Sequence, residues 1–205
     1  MSATAAPLAS DRSDVRTVTT SGAKLGVATA VAVVAFIAAS RQLPAVGGLR
    51  SGVEALIVLA AGVAAGFLPG LWTAARATEG IAGAAAIGLV GSLVFSAIDI
   101  ALLRPFHAYP WTWDAVGGGS SWWYLPVWWM LGTFVAWMGA IVTAGGAARG
   151  EATLVRRALP AIAVTVVAAT VVRLAGAPVA LPVAVGGAFT LALAALALVA
   201  LARPG

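Results

Sequence analysis

Three side chains with acid–base or metal-ligating capacity lie close together mid-chain: Asp99, His107 and Asp114. Two carboxylates and an imidazole can move protons, so a membrane enzyme acting on lipid is one reading of them. His107 is the only histidine in the chain. Alone it can ligate a haem iron or a chlorin magnesium, but haem in a helical bundle usually takes a second axial ligand. Among Arg104, Pro105 and Pro110, His107 reads first as an interfacial hydrogen-bonding residue. No cluster of histidines and carboxylates is present to hold zinc or copper. The absence of cysteine excludes disulfides, thiolate metal sites, iron–sulfur clusters and covalent haem attachment.

Asp99 falls about one turn inside the end of an apolar run, where a charge is costly unless it is paired, wet or protonated. Arg104 is five residues on, a poor helical angle for direct pairing, so Arg173 or Arg41 from another helix is also a candidate partner. A structural ion pair at the headgroup boundary takes precedence over a proton-relay or cation site. Glu54, at the start of another apolar run, is read in the same way. Asp99, Glu54 and Arg173 together are the set a small transporter or channel would use, if they converged on a water-accessible cavity. Glu79 and Glu151 lie in connections and read as solvated.

Familiar catalytic templates do not fit. GGGSS at 117–121 lacks the lysine of a phosphate-cradling loop. Ser120 and Ser121 have no histidine in a later segment to activate them. No carboxylate pair shares a helix face, and no lysine inside an apolar run can carry a Schiff base.

One segment is unusual. Seven of the eight tryptophans lie between Arg104 and Trp137, with Tyr109 and Tyr124 among them. An aromatic belt places a ring or two at each helix end, where an apolar body meets water with a polar edge. Trp122, Trp123 and Tyr124 fit that duty. Trp128 and Trp129 lie deeper and, being adjacent, point about 100° apart on a helix, so they face different surroundings. The segment, with Trp111 and Trp113, has three readings: an aromatic cap at the interface, a docking surface for a partner subunit, or a site for a lipophilic molecule such as a lipid, quinone or pigment. Elsewhere, Gly62, Gly66 and Gly70 recur at a spacing close to one turn, forming a groove into which another helix backbone can pack. Internal packing takes precedence there over an oligomer interface.

These residues must be carried by membrane helices. Of 205 residues, 61% are hydrophobic and 9% charged, with mean hydropathy +1.01. A soluble domain carries roughly a quarter charged residues, so most of this surface must face lipid. The expected fold is an all-α bundle of six membrane-spanning helices at about 25–40, 55–75, 80–103, 122–144, 158–174 and 181–202. These make up one membrane domain, 22–205, after a flexible cytoplasmic tail, 1–21, whose acidic residues do not suit a cleaved signal peptide. Prolines at 178 and 182 divide the last apolar stretch into two helices. A re-entrant fifth segment, leaving five spans, is the alternative.

Net charge is +5, and eleven of the twelve basic residues are arginine. They punctuate the ends of apolar runs rather than forming a patch, which points to retained positive charge at the membrane and not to nucleic acid. With the N-terminus inside, Arg12, Arg16, Lys24, Arg76, Arg149, Arg156, Arg157 and Arg203 fall on the cytoplasmic side. Only Arg41, Arg50, Arg104 and Arg173 fall outside. The expected location is a bacterial inner membrane, both termini cytoplasmic. The functional expectation is a non-catalytic subunit or scaffold of a larger membrane assembly. It would contact partner subunits or lipophilic cofactors through residues 104–137.

Overall fold

The computed structural model describes residues 11–106, 108, 124–148 and 153–202, the side chains of Tyr124 and Ala148 excepted. The described residues form six α-helices: α1 (Val15–Gln42), α2 (Leu49–Trp72), α3 (Thr78–Ile98), α4 (Tyr124–Ala148), α5 (Leu154–Leu174) and α6 (Leu181–Ala202). Each is long and apolar enough to cross a membrane, and no strand occurs among the described residues. The protein is an all-α, multi-pass membrane bundle.

Residues 15–21 correct the expectation of a tail reaching to 21, because they are already helical. Their threonines and serine carry no apolar period, so hydropathy gives no helix signal there. The start is fixed instead by a cap. Asp14 has extended backbone, and its carboxylate accepts from Thr17 N at 2.9 Å and from the Thr17 hydroxyl at 2.6 Å. The hydroxyls of Thr19 and Thr20 donate back to the carbonyls of Val15 and Arg16. At 28 residues, α1 is about 42 Å long, more than the hydrocarbon thickness of about 30 Å. Its polar first turns therefore extend beyond the apolar span.

The fifth segment is a complete helix of 21 residues, so six candidate spans stand among the described residues. It closes at Gly176, whose N–H donates to the Arg173 carbonyl and whose positive φ turns the chain so that Ala177 N bonds the Val172 carbonyl. Pro182 stands at the second position of α6, where a missing N–H removes no helical bond. Prolines 69 and 160, by contrast, lie inside α2 and α5 without ending them.

The contacts show alternating helix directions. Gly62 and Gly66 of α2 meet Phe189 and Leu193 of α6, advancing together, so those helices run parallel. Gly22 and Gly26 of α1 likewise follow Val90 and Val94 of α3. The C-terminal end of α1 meets the start of α2 at Ser40 and Glu54, so that pair is antiparallel. α2 is the hub, touching every other helix, while α1, α3, α4, α6 and α5 form an arc in that order around it. The core joins Phe67 of α2, Met138 and Ile141 of α4, Ala161 of α5, and Phe189 and Leu193 of α6.

Where α2 crosses α4, Gly139 leaves no room for a Cβ, because it would run into the Gly66 carbonyl. Backbones at that distance gain dispersion that larger side chains would forbid, which matters where lipid removes the hydrophobic drive between helices. Gly70 lies against Ala140 and Thr143 of the same helix. The glycines at 62, 66 and 70 thus all face neighbours within the chain.

Candidate functional site

Alternation brings the C-terminal ends of α1, α3 and α5 to the same side as the starts of α2, α4 and α6. The described polar residues read from sequence as candidates gather at that end, but they form separate sets. Asp99, at the end of α3, is buried and forms a 3.0 Å ion pair with the Arg104 Nε. Residues 99–103 form a π-turn, with Arg104 N donating to the Asp99 carbonyl at 3.0 Å. The wider turn corrects the objection to a five-residue offset, which holds only for a regular α-helix. Pro105 supplies a reason for it: a proline ring clashes with the carbonyl four residues back in a regular helix.

Glu54, also buried, accepts from the Ser40 hydroxyl at 2.6 Å and lies 3.5 Å from the Arg50 Nε, one turn back on α2. Its carboxylate joins α1 to α2. Arg41 Nη2 donates to the Ala108 carbonyl at 2.6 Å, tying the end of α1 to the chain beyond α3. Beside this bond is a shallow, largely apolar hollow of about 260 Å³, lined by Val34, Ile37, Ala38, Arg41, Gln42 and Ala108. Arg173 is exposed in the last turn of α5, a helix that packs chiefly on α6. Asp99 is thus paired with Arg104, and Glu54 with Ser40 and Arg50, in two separate sets.

The two deeper tryptophans differ, as adjacent helical positions require. Trp129 turns inward, its Nε1 donating to Ser96 Oγ at 3.2 Å, while Ser96 itself donates to the Ser92 carbonyl. This bond pins α4 to α3 next to the close contact between Gly132 and Ser92. Trp128 is turned outward and is 36% exposed. His107, Tyr109, Trp111, Trp113, Asp114, Trp122 and Trp123 lie outside the described residues, as does the side chain of Tyr124. Among the described residues, no three His, Cys, Asp or Glu side chains are grouped so as to hold a metal ion.

Three partners were not anticipated from sequence: Ser40, Ser96 and, at the other end of the bundle, Asp11. Ser40 and Ser96 sit in apolar runs where a single hydroxyl changes hydropathy little. Only the tertiary arrangement shows whom they serve. Asp11 lies in polar sequence with no period at all.

Compared with known protein families, curated proteins and solved structures, the chain gives no match.

Proposed function

We propose that this protein is a non-catalytic subunit or scaffold of a larger membrane assembly. The observation that carries this reading is how its buried carboxylates are used. Asp99 is paired with Arg104 and Glu54 is held by Ser40 and Arg50, each within or between helix ends of the same chain. Groups so engaged serve to fix helix ends, whereas a proton relay or an ion path needs groups that exchange partners across the membrane. Close glycine seams between α2 and α4 and between α1 and α3 fit a rigid scaffold. In this reading the aromatic segment 104–137 meets partner subunits or a lipophilic molecule such as a lipid, quinone or pigment. The membrane is a bacterial inner membrane, with both termini in the cytoplasm, as the eight-to-four distribution of basic residues favours.

The test is isolation of the tagged chain from its native membranes in mild detergent, with native mass and absorption spectrum recorded. The reading expects a stoichiometric polypeptide partner or bound chromophore that is lost when Trp128 is replaced by alanine. Recovery as a lone, colourless monomer from several mild detergents overturns it. A small transporter or channel is the alternative, and a lipid-modifying enzyme a further one. Transport in liposomes that is abolished by both D99N and E54Q would establish the first of these instead.

A further inference from the structure

At the end of the bundle that carries the N-terminus, α3 begins without a cap of its own. Its N-cap position is Ala77, whose side chain can accept nothing. A helix start leaves its first N–H groups unbonded, and a residue at N-cap ordinarily supplies the missing acceptor. Here the acceptor comes from far away in sequence. The Asp11 carboxylate receives Ala77 N at 2.9 Å and Gly80 N at 2.9 Å through one oxygen, and Arg76 N at 3.2 Å through the other.

Three further features hold the segment around Asp11 in place. Arg12 N donates to the Thr73 carbonyl at 2.7 Å, on the turn between α2 and α3. A Cβ at Gly80 would come within 2.6 Å of the Asp11 carboxylate, so the seat requires a residue without one. A Cβ at Gly83 would come within 2.9 Å of Ser13. Three residues after Asp11, Asp14 caps α1 itself. Within four residues the chain thus caps two helices, one in sequence and one across space.

We propose that residues 11–14 act as a strap that closes this end of α1, α2 and α3, with Asp11 as the releasable N-cap of α3. The strap ties the N-terminal residues to α3, the helix whose other end carries the Asp99–Arg104 pair. When it opens, the amides of Arg76, Ala77 and Gly80 lose their acceptor and the Arg12 backbone is freed together with them. Opening is therefore a concerted event, readable at both places. This inference does not rest on the subunit reading.

The test uses the full chain in lipid nanodiscs, comparing wild type with D11A, G80A and D14A by amide hydrogen exchange and limited trypsin digestion. Removing a charge-assisted acceptor of three amides should raise opening at least roughly tenfold. In both D11A and G80A, exchange at Ala77 and at position 80 and cleavage after Arg12 should rise together by about that factor. D14A removes the cap of α1 but leaves the seat of Asp11, and its exchange at Ala77 and Gly80 should stay within about twofold of wild type. Unchanged exchange at Ala77 and Gly80 in D11A, with the helical content of wild type, overturns the proposal. So does a rise in D14A equal to that in D11A, because the strap would then be mere fraying of α1.

Discussion

Asp99 and Arg104 pair across five residues of one helix end, at 3.0 Å, because the turn between them is a π-turn. On a regular α-helix five residues rotate by about 500°, leaving the two side chains some 140° apart. The i→i+5 geometry takes up most of that difference. Asp99 is the more buried partner, its side chain 5% exposed against 30% for Arg104. R104A therefore takes the guanidinium away from a buried carboxylate and should cost up to about 3–5 kcal/mol. Replacing both partners by leucine removes the uncompensated charge and should cost less than R104A alone. A double-mutant cycle on thermal unfolding in detergent checks this, and additive losses from D99L and R104L would refute the pairing argument.

Glu54 offers a second comparison between a short bond and a longer ionic contact. Ser40 approaches to 2.6 Å, whereas Arg50 is at 3.5 Å and its side chain is 40% exposed. An exposed i,i+4 pair is worth about 0.3–0.5 kcal/mol, while a hydrogen bond to a buried charge contributes about 1.5–3 kcal/mol. S40A should thus destabilise the chain more than R50A does. The reverse order in thermal denaturation would assign Glu54 to Arg50.

Trp128 and Trp129 should separate equally cleanly. W129F loses the bond to Ser96 at the α3–α4 seam and leaves that hydroxyl without its indole donor, at a cost of about 1 kcal/mol. W128F leaves the Trp129–Ser96 bond intact and changes a more exposed ring, so it should cost less than W129F. Equal losses from the two, in the same unfolding assay, would contradict the inward and outward assignment.

Six helices were legible because spans of about 20 apolar residues carry a strong signal in every window. The adjacency of Trp128 and Trp129 likewise foretold divergent directions, since helical rotation alone requires it. What stayed hidden depended on bonds rather than on hydropathy. The start of α1 lies in polar sequence and is set by the Asp14 cap. The pairing of Asp99 needed a departure from regular helix that Pro105 hints at but does not specify. Asp11 serves a helix that starts 67 positions later at Thr78, and nothing in local sequence can encode so distant an acceptor.

Gly139 and Gly187 give a steric contrast within one residue type. A Cβ at Gly139 collides with the Gly66 backbone, whereas one at Gly187 meets nothing within 4 Å. G139A must push α4 away from α2 and should cost about 1–3 kcal/mol. G187A faces open space on a helix, where alanine is the better helix former, and should stabilise by up to about 1 kcal/mol. Melting temperatures of the two variants check the contrast, and an equal shift in both would mean that α2 and α4 do not meet at Gly66.

Asp14 gives a pH dependence whose sign can be worked out. Bonds from the Thr17 hydroxyl and then the Thr17 N–H hold its carboxyl below the usual aspartate value. A lowered folded-state value means that the ionised group supports the folded helix end at all pH above the ordinary value. That support is lost only as pH falls through the folded-state value. Exchange at Thr17 N–H, corrected for its intrinsic pH dependence, should therefore stay protected from neutral pH into the mildly acidic range and rise only below the usual aspartate range. D14A should show the raised, several-fold faster exchange throughout and no acid step of its own. An acid step that persists in D14A at the same pH would assign the loss to a group other than Asp14.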